Sequence, residues 1–389
     1  MNQFLPFDST LSISCLNKIF DNTTASYKYL WFLSLLDLNV QGKNHDIPVY
    51  DIIAKMLSYA WYPINYFHLS FGSWDSMEYV VSTLRKELNL PIDTSRNKVE
   101  EKLKEACAKD NNIKKILAVF TKNVPYRFLS PWLKETNEKK AIEQSKTFTN
   151  DCLYSISSPG LSMKIDINHK WIDYLERHYI VLRDFSLWNF QLFLQKMNPN
   201  VPAIGSKILK PEERASLSRQ RAFWKSILQV SNNPIKCIYT DKPLGVSDFA
   251  LDHFVPWSFV CHDLLWNLIP ANPSINSSKS DLLPDLNYHL PKMAKIHQEA
   301  IKTILGANLN NVNKKILDDF LTLKQSPQDL AQISFDAFLR IYQDTFTPLV
   351  LVAKNMGYDY WHNNSACIDY NYDFEIKQVA ADPSEIKYK

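Results

Sequence analysis

The chain has 389 residues, 46% of them hydrophobic and 22% charged, a length that predicts two or three packed units and a balance that excludes wholesale disorder. Seven glycines are too few and too scattered for a Gly-rich phosphate loop, which argues against Rossmann and P-loop enzymes and favours a mainly helical protein. A net charge of +3 permits contact with a polyanion without demanding it, so a nucleic-acid surface would have to come from local clustering.

Asp8-Ser-Thr predicts a helix start for residues 8–40, where Leu30, Phe32, Leu33, Leu35 and Leu36 make the segment apolar on most sides, as in a buried core helix. Residues 49–63 and 74–89 read as further helices, and 98–109 as a charged amphipathic one with a solvated Lys/Glu face. The polar stretch 134–160 loses periodicity beyond Lys146 and reads as a boundary or flexible connection. Residues 161–167 alternate like a short strand, and Trp171, Leu175, Tyr179, Leu182 and Leu187 predict one long helix over 168–197. Pro211-Glu-Glu opens a helix to residue 230 that carries Arg214, Arg219, Arg221 and Lys225.

The pattern then changes. Lys236–Tyr239 and Phe249–Phe254 are β-like runs, separated by the turn-rich Asp241-Lys-Pro-Leu-Gly-Val-Ser-Asp248, which predicts a hairpin. Helical patterns return near 291–305, 311–324 and 329–357, before an irregular aromatic tail. The organisation expected is an N-terminal helical domain (1–150), a helical connecting region (161–232), a distinct module (233–290), a C-terminal helical region (291–357) and the tail (358–389).

Cysteines at 15, 107, 152, 237, 261 and 367 never pair at a two-residue spacing and read as reduced thiols of a cytosolic protein. The N-terminus shows no basic region followed by an apolar core, and the longest apolar run, Tyr29 to Leu36, is far short of the roughly 20 residues that span a bilayer. A cytoplasmic protein with no membrane partner is the expectation.

The chemistry concentrates in Leu251-Asp252-His253-Phe-Val-Pro256-Trp257, then His262-Asp263-Leu-Leu-Trp266-Asn267, then Asn276-Ser-Ser-Lys279-Ser-Asp281 and Pro284. Phosphodiester hydrolysis needs an activated water and relief of charge on phosphate and leaving oxygen. A histidine can take the water's proton, and a hard cation held by carboxylate and amide oxygens can stabilise the oxyanions. Asp252 and His253 are neighbours on a strand and would point to opposite sides unless the strand bends or ends there, as Pro256 suggests.

This segment resembles the ββα-metal, or HNH, endonucleases, in the branch that includes the HNH domains of CRISPR RNA-guided nucleases and bacterial HNH defence nucleases. In that pattern an Asn follows the Asp-His histidine by fourteen residues and another by twenty-three, as Asn267 and Asn276 follow His253, and the ending Asn-x-x-Lys-Ser-Asp-x-x-Pro matches Asn276 to Pro284. The resemblance implies a mainly α protein with an inserted ββα-metal module, α+β overall. It implies His253 as general base, with Asn267 bracing the loop that orients it. Asp252 and Asn276 would be metal ligands and Lys279 a phosphate contact. Asparagine at 276, where many members have histidine, shifts the expected ion to Mg²⁺ or Mn²⁺. Many relatives add a structural zinc through paired cysteines. Here only Cys237 stands at the first such site and Asn272-Pro-Ser-Ile275 replaces the second, so no zinc is expected.

Around this site, His262 reads as a loop or capping residue, and Trp257, Trp266 and Leu268 as packing of a small module. Arg214, Arg219, Arg221 and Lys225 either grip a nucleic-acid backbone or form a solvated helix face. Tyr358, Tyr360, Trp361, Tyr370 and Tyr372 read as packing or docking residues, with base stacking as the alternative. The expected function is metal-dependent hydrolysis of duplex DNA, with helical regions that bind a regulatory protein or self-assemble, as in an anti-phage effector. An RNA nuclease or nickase, and a nuclease-silent nucleic-acid-binding subunit, are the alternatives.

Overall fold

A computed structural model describes residues 5–133, 137–209, 215–231, 233–306 and 314–362. The fold is mainly helical with two small antiparallel sheets. Its N-terminal core forms around helix Tyr27–Val40, in which Leu30, Trp31, Phe32, Leu33, Leu35 and Leu36 are all inaccessible to solvent. A helix apolar on every side needs neighbours on every side. Helices Val49–Asn65 and Tyr179–Met197 supply two of them, and Arg96–Lys109 packs on the far side of Val49–Asn65. Lys55, buried in that interface, is paired with Glu100 at 3.0 Å, as a buried ammonium requires.

Strands β1 (Ile47–Pro48), β2 (Tyr154–Ile156) and β3 (Lys164–Ile167) form one sheet in the order β1-β3-β2. Ile47 pairs with Ile165, and Tyr154 with Ile167. The stretch 134–160 is therefore no flexible connector where it is described. It holds helix Glu138–Lys146, capped by Asn137, which packs on β2. Pairing of 47–48 with 164–165 also ties the expected N-terminal domain to the region after it.

Several predicted elements are shorter than expected. The helix read over 8–40 is a short turn of helix at Ile13–Leu16 and then Tyr27–Val40. Asp8 instead accepts from Thr10 N–H and Oγ1 in a local turn, and Asp21-Asn-Thr-Thr separates the two segments. The helix read over 168–197 breaks at His178 into His169–Arg177 and Tyr179–Met197. The helix read over 211–230 is seen as Ser218–Val230, and Arg214 lies outside the described residues. No helix among the described residues is long and apolar enough to cross a membrane.

In the C-terminal half, helix Leu286–Gly306 packs against Ser218–Val230, Pro327–Gln332 and Phe335–Asn355. Between them, β4 (Ala250–His253) pairs antiparallel with β5 (Leu268–Ala271), and helix Pro273–Lys279 follows. The predicted hairpin of 236–239 with 249–254 does not form. Residues 236–244 close on themselves through the Lys236–Pro243 bridge and the bond from Cys237 N–H to the Lys242 carbonyl, leaving β4 to pair with β5.

Candidate active site

Four residues of β4 face four of β5, Ala250 to Ala271 through His253 to Leu268. After His253 the chain leaves the strand, and Asn267 holds the departing loop. Its Oδ1 accepts from Val255 N–H and its Nδ2 donates to the Val255 carbonyl, both at 2.9 Å, while its own carbonyl accepts from Phe254 N–H at 2.9 Å. The side chain is fully buried, so this two-point match also satisfies an amide that would otherwise be costly to desolvate.

Asp252 and His253 engage different partners. The Asp252 carboxylate is 2% exposed. One oxygen accepts from Tyr239 Oη at 2.5 Å and the other from Lys279 Nζ at 3.1 Å. Lys279 is completely buried and also donates to the His253 carbonyl at 2.8 Å. Rather than projecting into solvent, it binds the base of the site. Burial, and then the Asp252 charge, drive the Tyr239 hydroxyl far above its ordinary range, so it stays a neutral donor.

The His253 imidazole meets Asp263, Nε2 to Oδ1 at 2.8 Å, and both side chains are mostly buried. Asp263 lies in the loop between the helical turn Trp257–Val260 and β5. Gln220 Nε2 donates to its carbonyl at 2.9 Å and so fixes that loop to helix Ser218–Val230. Next to it, His262 stacks near Trp266 and its pKa is pushed down to about 4 by burial and then by His253, so it is neutral at physiological pH.

The third predicted side chain, Asn276, is half-buried on helix Pro273–Lys279, one turn before Lys279. Residues three apart share a helix face, and Lys279 reaches Asp252 from that face. Of the predicted cationic grip, Arg221 donates to the Phe249 carbonyl at 2.9 Å and Arg219 to that of Lys315 at 3.3 Å, both on the surface, while Lys225 is exposed. Trp266 and Leu268 are buried and Trp257 half-buried.

Several neighbours had no signal in the sequence. Tyr239 meets His289 and Trp361 edge-on, with ring centres 4.9 and 5.4 Å away. Trp361 belongs to a chain segment that runs beside Leu283 and donates from Nε1 to Ser278 Oγ at 3.3 Å. Behind β5, the fully buried His297 links the Leu268 carbonyl to Tyr342 Oη. The Cys237 thiol accepts from Asn272 N–H at 3.4 Å and so joins the segments on either side of the two strands. Tyr358 and Trp361 are buried and Tyr360 half-buried, and Tyr370 and Tyr372 lie outside the described residues.

Against the known protein families, residues 237–285 match the model for HNH endonuclease. This segment is similar to the HNH endonucleases. It contains β4, β5, the helix after them and every residue of the Asp252–His253 cluster. No curated protein and no solved structure matches the chain. The match suggests a nuclease acting on nucleic acid, and HNH nucleases generally use a divalent metal.

Among the described residues no three His, Cys, Asp or Glu side chains gather as a metal cluster. The ligands expected from the sequence are instead one carboxylate and one amide oxygen, those of Asp252 and Asn276. Such a sparse oxygen set suits a hard cation that keeps water and takes phosphate oxygens from its substrate. The residues therefore fit such an ion in kind, provided that Lys279 shares or yields the Asp252 oxygen it now holds.

Proposed function

We propose that this protein is a cytoplasmic endonuclease that hydrolyses phosphodiester bonds in duplex DNA. His253 is its general base, Asp263 its positioning partner, and Asp252 and Asn276 the residues that would hold Mg²⁺ or Mn²⁺. The observation that carries the reading is the 2.8 Å contact of His253 Nε2 with Asp263 inside the matched HNH segment.

If Asp263 accepts the Nε2 proton, the imidazole is locked in the tautomer whose Nδ1 lone pair is free to take a proton from water. The carboxylate then also stabilises the imidazolium that forms. Asn267 fixes the backbone that leaves His253, so the ring is held before substrate arrives. A divalent ion, when bound, would offset charge on the phosphate and the leaving oxygen. Neutral His262 and the buried Tyr239 add no competing charge.

The helical regions on either side are read as the means of recruiting or restraining the nuclease, through a partner protein or self-assembly, as an anti-phage effector would need. Incubating purified protein with supercoiled plasmid and Mg²⁺ or Mn²⁺ tests the assignment. Linear product that is lost with chelator and in His253→Ala is expected. Open circles alone would make it a nickase, and cleavage of RNA but not duplex DNA would overturn the substrate. A second reading, a nuclease-silent binding subunit, is favoured by the engagement of both Asp252 oxygens. DNA retention without cleavage under every metal would select it.

A further inference from the structure

A cavity of about 620 Å³ opens in the N-terminal region, well apart in sequence from the HNH segment. Lys28, Arg127, Tyr27, Trp74, Asn123 and Asp21 are among its lining. Its volume lies within the range of small-molecule sites.

The charge in its wall is out of balance. Lys28 sits in the first turn of helix Tyr27–Val40, is 9% exposed, and donates to one backbone carbonyl, that of Ile19, at 3.1 Å. An ammonium has three protons to place. Among the described residues no carboxylate lies within 4 Å of Lys28 or of Arg127. Burial lowers the pKa of Lys28, repulsion from Arg127 lowers it further, and Asp21 offsets that only in part. Two other buried lysines have a counter-charge, Lys55 in Glu100 and Lys279 in Asp252, whereas the buried Lys207 donates to the Pro202 carbonyl and lines no such cavity. A buried cation with no carboxylate in contact among the described residues, next to a second cation and an open cavity, is a place where an anion would be stabilised.

The rest of the lining narrows the class. Trp74 stands at the cavity with 90% of its surface exposed, although a large aromatic normally avoids water. The half-buried Tyr27 ring is braced edge-on by Phe120 at 5.3 Å. The lining thus offers two cations together with an exposed aromatic face. We infer that this cavity binds a free nucleoside phosphate, the phosphate held between Lys28 and Arg127 and the base against Trp74.

Titration calorimetry of the full chain with the four nucleoside 5′-monophosphates and triphosphates, inorganic phosphate and adenosine tests this. At least one nucleotide should bind more tightly than about 1 mM. Lys28→Met should weaken it tenfold or more, Arg127→Gln several-fold, and Trp74→Ala should weaken the nucleotide while leaving inorganic phosphate unchanged. Lys28→Met also removes an unmatched buried charge, so its melting temperature should hold or rise. Arg127 is on the surface, so its variant keeps the test valid should Lys28→Met misfold. Binding by none of the ligands, equal binding of adenosine, or affinity untouched in both cation variants would overturn the site. A preference for a 5′-phosphorylated oligonucleotide over every mononucleotide would overturn the small-ligand assignment.

Discussion

Lys279 Nζ lies 3.1 Å from Asp252 Oδ1, and neither side chain is more than 2–3% exposed. A cation that the chain itself supplies therefore already rests on the carboxylate proposed to hold a metal. Breaking one half of a buried pair leaves the other charge stranded, at a cost of about 3–5 kcal/mol. Asp252→Asn and Lys279→Met should each lower stability on that scale in urea denaturation. The double variant should cost less than the sum of the two. Simple additivity would show that the pair is not coupled.

Lys279 also competes with any ion for the same oxygen. Titration of Mn²⁺ followed by electron paramagnetic resonance should therefore give tighter binding in Lys279→Met than in the unaltered protein, provided that variant is folded. Weaker binding would mean that the lysine supports the ion, for example by orienting Asp252 rather than screening it.

Asp263 acts on the reaction through His253. Its replacement by Asn keeps the shape and loses the charge, and should lower single-turnover cleavage by about 10–100-fold. Because Asp263 is partly exposed and its loop is also held by Gln220, the melting temperature should change little. A cleavage rate equal to that of the unaltered protein would remove Asp263 from the mechanism.

Asn267→Ala deletes both side-chain bonds to Val255 and strands the partners in a buried site. A loss of about 2 kcal/mol is expected, with activity falling further than stability because the loop that leaves His253 is released. Equilibrium unfolding and plasmid cleavage on the same preparation separate the two effects.

His297 carries a pH dependence. Burial pushes its pKa down to about 4 in the fold, against 6.5 ordinarily. The unfolded chain therefore binds the proton more readily. The stabilisation is complete above about pH 6.5 and is lost as pH falls toward 4, by on the order of 3 kcal/mol. His262 is shifted the same way. His297→Gln should flatten the stability profile between pH 6.5 and 4, as followed by thermal melts.

The His253, Asn267 and Asn276 intervals were readable because they lie within one short strand–loop–strand–helix unit, where local spacing dictates position. The Asp263 partner was not, since a loop carboxylate ten residues on has no periodicity to betray it. Tyr239 and Trp361 reach the site from opposite ends of the C-terminal half, and only tertiary packing brings them there. The strand pairing was misread for a related reason. Lys236–Tyr239 alternates as a strand should, whereas Leu268–Ala271 contains Pro270, which argues against a strand interior. In a two-stranded sheet both strands are edges, so the proline is tolerated opposite Leu251. The long helices were misjudged at their breaks, because apolar spacing runs through His178 although the backbone there does not.

The bond from Leu283 N–H to the Asp359 carbonyl, and from Trp361 N–H back to the Leu283 carbonyl, stitch a late stretch of the polypeptide onto the matched segment. Anyone transplanting residues 237–285 into another scaffold would leave that stitching behind. The graft would carry a bare phenol at Tyr239 and an aspartate with a weakened grip. What looks in one dimension like a portable cassette is, in three, finished by residues about seventy-five positions downstream of its end, so protein engineers should move it with its clasp or not at all.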